Sequence, residues 1–377
     1  MTATHDDATF MGLALRLARE GTGATYPNPC VGAVVQQRGR IVGAAGSAAT
    51  GGPHAEIKAL RAAGEQARGA TVYVTLEPCS HHGRTPPCTD ALIAAGVAEV
   101  VFGIQDPAEH ARGRAAAILE GAGIRVRTGV LADHCARAHE HYLHHEQTRR
   151  PFVTVKSACS LDGQIGCASG DSRWITGKEA RTRGHRLRAE HHAILIGLGT
   201  LLTDDPSLTV RLCAGVDPIP LVLDSRLRAL DPARPRPALL KPGTILLHTN
   251  AAPATSIAAL ADTGAVGIEV AADADGHVDF AAALDALGAR SIRSILVEGG
   301  AHIYASLFRA ALWNRWYLFH APLLLGAGTP LLPGVQWSRV AQAPRVKVRE
   351  RETVGQDTLV VFEPLGRALE AVEDEAT

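Results

Sequence analysis

One histidine and two cysteines in this chain carry the spacing of a metal site. Pro53-His54-Ala55-Glu56 is answered by Glu77-Pro78-Cys79 and then by Cys88. His54, Cys79 and Cys88 make three zinc ligands, and Glu56 stays free to move protons. Three protein ligands leave a fourth tetrahedral position for water, the arrangement of a catalytic zinc. Zinc lowers the pKa of such a water from ~16 to ~7. His-x-Glu followed by Pro-Cys and a second Cys is the signature of zinc-dependent nucleobase deaminases. A lone Cys reads as a small buried hydrophobe, and a structural zinc would need a fourth protein ligand. The joint pattern fits neither as well.

The gap between the two cysteines is long, eight residues from Ser80 to Pro87. His81 and His82 within it line a pocket or sit on the loop surface. Arg84 is a candidate for holding an anionic substrate group, or is a solvated loop charge. A second chemical signal lies far downstream in Ile295-Leu296-Val297-Glu298-Gly299-Gly300, followed by a helical stretch from Ala301 to Ala310. Strand, glycine pair and helix N-terminus make a pyrophosphate cradle from backbone N–H groups; the plain alternative is a tight turn. Gly197-Leu198-Gly199 also follows a strand, but Leu202 stands where a dinucleotide fingerprint needs its third glycine. The cluster His139, His141, His144 and His145 reads as a polar helix face.

These groups need a scaffold, and the pattern supplies an alternating α/β one. An amphipathic helix is expected from Phe10 to Arg19, strands at 31–35 and 40–44, and a helix from His54 to Ala63 with Pro53 in its first turn. Val72–Leu76 and Glu99–Ile104 read as strands, Asp90–Ala95 and Gly113–Ala122 as helices. Alternation of this kind predicts a layered domain ending near Arg149, with Thr148-Arg149-Arg150-Pro151 as linker. A second α/β domain then begins, with strands at 152–157, 193–196, 219–223, 244–248 and 294–297. Asp231–Pro242 is Pro-rich and reads as a surface loop.

With 377 residues and 46% hydrophobic content, two cored domains are expected. Lys plus Arg equals Asp plus Glu, 38 each, so nothing asks for a nucleic-acid backbone. No apolar run approaches the ~20 residues of a membrane span, and Met1–Asp7 carries no signal-peptide pattern. Seven cysteines, an odd and scattered set, fit a reduced cytosolic protein with metal-binding thiolates. Cys30, Cys135, Cys159, Cys167 and Cys213 lack ligand spacing. Trp313, Trp316 and Tyr317 read as core or interface.

The run from Leu76 to Cys88, Leu-Glu-Pro-Cys-Ser-His-His-Gly-Arg-Thr-Pro-Pro-Cys, closely resembles the bifunctional deaminase/reductases of riboflavin biosynthesis. Asn28-Pro29-Cys30-Val31-Gly32 and Gly52-Pro53-His54-Ala55-Glu56 match the same family, and the likeness covers nearly the whole chain. It implies a cytidine-deaminase-like αβα domain over 1–149 and a dihydrofolate-reductase-like α/β domain over 150–377. The implied chemistry is deamination of 2,5-diamino-6-(5-phosphoribosylamino)pyrimidin-4-one, then NADPH reduction of the ribosyl group to ribityl. By the resemblance, His54, Cys79 and Cys88 are the zinc ligands, Glu56 the proton shuttle and Asn28 a substrate contact. Ala158, Trp174, Thr200, Asp204, Ser225 and Gly300, Ala301, His302, Ile303, Tyr304, Ala305 and Ser306 match NADP-contacting positions. Ser172, Arg188, Leu208, Arg211 and Glu298 match substrate-contacting ones. Both arginines suit a bidentate grip on the ribose phosphate. Lys156 is a candidate for binding or polarising the ribose, with a strand-end surface lysine as the alternative. A small-molecule partner, no nucleic acid, no membrane and a homo-oligomer are expected.

Three departures from the family pattern stand out. Ser47 replaces a His seven residues before His54, Asn314-Arg315 replaces an acidic pair, and Leu323 replaces a common Lys. The rival readings are a tRNA or nucleoside deaminase with an unrelated appended domain, and a scaffold with structural zinc. Neutral charge and the eight-residue gap weigh against the first, and the intact Glu56 against the second.

Overall fold

The computed structural model describes residues 5–82, 86–108 and 111–365. The chain divides into two compact units, Met1–Arg149 and Arg150–Thr377. Among the described residues no helix is long and apolar enough to cross a membrane.

The first unit runs α1 (His5–Glu20), β1 (Gly32–Gln37), β2 (Arg40–Gly46), α2 (Ala55–Ala63), β3 (Thr71–Leu76), α3 (Cys88–Ala94), β4 (Glu99–Ile104), α4 (Arg114–Gly121), β5 (Arg125–Thr128), α5 (Ala132–Ala138) and α6 (Glu140–Thr148). Its sheet is ordered β2-β1-β3-β4-β5, antiparallel on the β1 side and parallel from β3 to β5. Alternation along each strand sorts the core. Val35, Val72, Val74, Val100 and Phe102 pack against Ala59 and Leu60 of α2, Leu92 of α3 and Leu119 of α4. Val34, Tyr73 and Val101 face Phe10, Met11 and Ala14 of α1 and Cys135 of α5. The result is three layers with helices on both faces.

α2 starts one residue later than the sequence pattern indicates. His54 is its N-cap in extended backbone (ψ 160°), and Pro53 precedes the helix instead of lying in its first turn. α3 starts at Cys88, so the second ligand cysteine opens its helix, ahead of the clear helical pattern from Asp90. The histidine cluster is not a solvated face: His139 and His145 are buried, and His141 bonds the Tyr26 hydroxyl at 2.8 Å.

The second unit continues β6 (Phe152–Ser160), β7 (Gln164–Cys167), α7 (Lys178–Glu190), β8 (Ala193–Gly197), α8 (Leu198–Asp204), β9 (Ile219–Leu223), β10 (Ile245–His248), α9 (Ala254–Ala261), β11 (Val266–Glu269), α10 (Phe280–Gly288), β12 (Ser294–Gly299), α11 (Ala301–Arg309), β13 (Arg315–Ala321), β14 (Gly328–Pro330), β15 (Val346–Val354) and β16 (Asp357–Pro364). Nine strands form one sheet in the order β11-β10-β9-β8-β12-β6-β13-β16-β15. It is parallel as far as β13, after which β16 and β15 add antiparallel. The sequence reading misses this C-terminal hairpin. β15 is an edge strand, exposed along most of its length, so it has no buried face to show as alternation. Trp313 and Trp316 join the core beneath α10 and α11.

At the departure positions Ser47 and Asn314 support the backbone with their side chains, Arg315 makes an ion pair, and Leu323 contributes only its main chain. The Ser47 hydroxyl accepts from Val31 N at 3.1 Å. Asn314 Oδ1 accepts from Val153 N at 2.8 Å, and Arg315 reaches Glu363 of β16 at 2.6 Å. The Leu323 carbonyl accepts from Leu161 N at 2.9 Å.

A buried charge network ties α1 to the first sheet. Arg127 places Nη1 and Nη2 on Asp7 (2.7 and 3.0 Å) and Nε on Glu99 (2.7 Å), while Tyr73 donates to Asp7 at 2.7 Å. Burial pushes the Glu99 carboxyl up, but Arg127 and Arg125 outweigh it and hold the group below the ordinary carboxylate range. Its contribution to stability is therefore complete above the unfolded pKa of about 4.3 and is lost as pH falls through the lower folded value. Arg127→Met removes the fork from Asp7 and leaves Glu99 to the exposed Arg125, and should cost about 3 kcal/mol in urea unfolding at pH 7. The difference from the parent should shrink as the measurement is repeated below about pH 4.

Candidate active sites

The first site is assembled where loops meet the carboxyl ends of β3 and β4. The chain leaves β3 through Glu77-Pro78 to Cys79, and Cys88 begins α3. His54 caps α2 from the neighbouring connection. His54 Nδ1 lies 3.3 Å from Cys88 Sγ and 3.4 Å from Cys79 Sγ. All three ligand atoms fall within 4.8 Å of one another, and Cys88 is buried. Cys88 N donates to Cys79 Sγ at 3.3 Å. Hydrogen bonding from Cys88, opposed by burial and aided by His54, lowers the Cys79 thiol to about 4. The same contact, with burial, pushes the Cys88 thiol well up. His54 is raised through its bond to Cys79.

Glu56 sits one turn-step into α2, 3% exposed, and its Oε2 has no hydrogen-bond partner. Burial, reinforced by the Cys79 charge, raises its carboxyl above the usual range. Ser80 Oγ and Thr89 Oγ1, each next to a ligand cysteine, are also buried without partners. Buried polar atoms are rarely left unsatisfied. Their clustering around an imidazole and two sulfurs fits a zinc ion and a water or substrate beside it.

Glu77 is the support that sequence reading passes over. It accepts from Asp106 N (3.1 Å) and Gly113 N (3.0 Å) on Oε2 and from Ala115 N (3.1 Å) on Oε1. One buried carboxylate thus locks the segment before Cys79 to the loop after β4 and to the start of α4. Its place directly before Pro78-Cys79 is the only sequence signal. Asn28 is exposed on a turn whose N–H bonds Thr25 O at 2.9 Å. Thr50 Oγ1 ties that turn to the approach of His54, bonding Thr25 O at 2.7 Å and Tyr26 O at 2.5 Å. His81 and His82 are exposed, and Arg84 lies outside the described residues.

The second site lies at the carboxyl ends of β6, β8, β9 and β12. Gly300, at φ 91°, turns the chain from β12 into α11. A Cβ on Gly299 would come to 3.1 Å from Thr200 Oγ1, so the glycine pair leaves the approach beside Thr200 open. Ile303 N and Tyr304 N already bond Gly300 O, which leaves the N–H groups at the very start of α11 facing outward. Tyr304 and Ala305 are buried against the sheet, and Tyr304 donates to Lys156 O at 2.8 Å; Ser306 is half-buried and His302 exposed. Trp174 is 72% exposed, with the Arg181 guanidinium 4.8 Å above its ring. Asp204 pairs with Arg173 at 2.7 Å, Ser225 Oγ accepts from Val278 N, and Ala158 is half-buried on β6.

The Arg188 fork is not open to a phosphate as the sequence suggests. It closes on Glu298, Nε to Oε1 at 2.7 Å and Nη2 to Oε2 at 2.6 Å, with Nη1 on Thr209 O. Burial disfavours both charges, but the pairing outweighs it, raising the Arg188 guanidinium and holding the Glu298 carboxyl below its ordinary range. Arg211 is the exposed guanidinium, held by the hydroxyls of Ser207 and Thr209. Leu208 between them is buried with φ 54°. Ser172 is exposed. Lys156 is half-buried in the middle of β6, not at a strand end. Burial lowers its ammonium, partly offset by Glu298.

Residues 151–360 match the family model of the RibD C-terminal domain. The chain belongs to the RibD family. Residues 4–104 match the zinc-binding region of cytidine and deoxycytidylate deaminases. The riboflavin biosynthesis protein RibD of Escherichia coli K12 is 40% identical, the alignment covering 93% of this chain and 97% of that one. Form 1 of Acinetobacter baumannii RibD superposes with a TM-score of 0.86 at 34% identity, covering 96% of this chain and 99% of its own. A Thermotoga maritima diaminohydroxyphosphoribosylaminopyrimidine deaminase/5-amino-6-(5-phosphoribosylamino)uracil reductase gives 0.82 at 33% identity, with the same coverage.

Glu77→Gln turns an amide NH2 toward backbone donors. It should lower stability by about 2 kcal/mol and speed zinc loss to a chelator. Both can be followed on one preparation by urea unfolding and a metal-release dye.

Proposed function

We infer that the chain carries out two consecutive steps of riboflavin biosynthesis. Residues 1–149 deaminate 2,5-diamino-6-(5-phosphoribosylamino)pyrimidin-4-one. Residues 150–377 then reduce the ribosyl group of the product, giving 5-amino-6-(5-phosphoribitylamino)uracil. The observation that carries the first step is the unpartnered Glu56 carboxylate buried beside His54, Cys79 and Cys88. Free cysteines throughout the described chain fit a reducing cytosol as the working compartment.

His54 Nδ1 and the two sulfurs would hold zinc, which supplies a Lewis acid that makes water a nucleophile at neutral pH. Glu56 does the proton work. Its raised affinity for a proton lets the carboxylate take one from the attacking water and keep it until the ring nitrogen and departing amine require it. Burial of Glu56 excludes bulk water that would otherwise exchange that proton. Asn28 is the proposed contact to the pyrimidine, and Arg84 to its phosphate.

In the second step NADPH supplies a hydride. The outward N–H groups at the start of α11, beside Gly300 and Thr200, are suited to its pyrophosphate. Ala158, Trp174, Asp204, Ser225, His302 and Ser306 complete the proposed surface, with Tyr304 and Ala305 supporting it from beneath. On the substrate side Arg211 is placed for the phosphate, with Ser172 and Leu208 beside it. The Arg188–Glu298 pair is a fixed wall of balanced charge. Lys156 Nζ, whose burial favours giving up its proton, is assigned to protonate the sugar oxygen as the ring opens.

In a two-stage assay the zinc-loaded chain should release ammonia from the diamino substrate and then oxidise NADPH. Glu56→Gln should keep zinc and NADPH oxidation on supplied deaminated intermediate, while ammonia release falls roughly 100- to 10,000-fold. Undiminished ammonia release by that variant sinks the mechanism. Lys156→Met should do the reverse, sparing ammonia release and slowing NADPH oxidation by about 100-fold or more.

A further inference from the structure

The first turn of α6, the last helix of the first unit, reaches the framework of the site in three directions. His139, its N-cap, is buried and places Nε2 3.0 Å from Thr75 Oγ1 on β3, two residues before Glu77. His141 Nδ1 meets the Tyr26 hydroxyl at 2.8 Å, with the two rings stacked at 6.5 Å. Tyr142 donates to Asp106 Oδ1 at 2.8 Å. Successive helical residues point about 100° apart, so neighbours 141 and 142 can grip different loops.

Those two loops each lead to a ligand. Tyr26 lies on the 21–31 turn, which Thr50 fastens to the segment entering His54. Asp106 opens the loop after β4, and its backbone N–H is one of the three held by Glu77, two residues before Cys79. Asp106 also turns its Oδ1 to Ala108 N at 2.9 Å, so the contact to Tyr142 shapes that loop as well as anchoring it. The spacing of the two loops is therefore set from a common platform outside the ligand set.

We propose that α6 is a brace for the deaminase site, with His141 and Tyr142 as positioning residues that fix where the turn carrying Asn28 stands relative to the loop after β4. This rests on the deaminase reading above. A brace of this kind acts on substrate affinity. The ligands and Glu56 hold their own geometry through Glu77 and the helix starts, so the proton work is untouched once substrate is seated.

The test uses the full-length, zinc-loaded protein. Tyr142→Phe and His141→Phe should each raise the KM for ammonia release by about ten-fold, the scale of one lost hydrogen bond. Their kcat should stay within about two-fold, with zinc content and NADPH oxidation on supplied intermediate unchanged. His141→Asn, whose side-chain oxygen can take the place of Nδ1, should recover most of the affinity. Tyr26→Phe combined with His141→Phe should raise KM by less than the product of the two single effects. Amide exchange in 21–31 and 105–108 should quicken in the Phe variants, a readout that needs no substrate. Unchanged KM, a loss confined to kcat, additive Tyr26 and His141 effects, or loss of zinc together with NADPH oxidation would each overturn the brace. Unaltered exchange would overturn it even if the parent releases no ammonia, an outcome that would by itself sink the deaminase reading.

Discussion

A parallel strand ends with its carbonyls spent along the ladder and its next residues free to turn, and both halves of this chain put their chemistry at that end. Glu77 and Cys79 follow β3, Asp106 follows β4, Thr200 follows β8, Ser225 follows β9, and Gly300 follows β12. Helix starts face the same edge, bringing unpaired N–H groups to the reacting region. Once strand order is fixed, residues far apart in sequence have little choice of neighbour. His54 and Cys88 are brought to 3.3 Å because the connections on either side of β3 open toward the same edge.

Three buried glutamates show how one side chain takes three roles. Glu77 is saturated by backbone donors and acts as a rivet. Glu298 is neutralised by the Arg188 fork and keeps its charge in a dry wall. Glu56 is buried beside the Cys79 sulfur with one oxygen unpartnered, and its affinity for a proton rises through that burial and that charge. With all three drawn away from solvent, the partners each is given separate a structural carboxylate from a working one.

Much of this was legible in the residues. The ligand trio was readable because metal chemistry restricts residue type and spacing together, and the parallel strands because burial on both faces leaves dense apolar runs. The Gly299-Gly300 turn was readable because few residues tolerate φ near 90°. Illegible features depend on partners chosen by the fold. Arg188 looked like a phosphate fork until Glu298, 110 positions away, closed it. The histidines of α6 looked like a polar face because nothing local reveals that Thr75 and Tyr26 lie opposite. The hairpin of β15 and β16 escaped because an edge strand need not alternate.

That edge has a bearing on how the protein behaves in a crowded solution. β15 reads Val-Lys-Val-Arg-Glu-Arg-Glu-Thr-Val, with Lys347, Arg349 and Arg351 interleaved with Glu350 and Glu352. Charges of both signs stand on a strand whose outer ladder is unpaired. A stray β-segment docking there would have to desolvate them and match an alternating pattern residue by residue. The strand acts as a gatekeeper that ends sheet growth at nine, protecting a long apolar sheet from seeding a fibre.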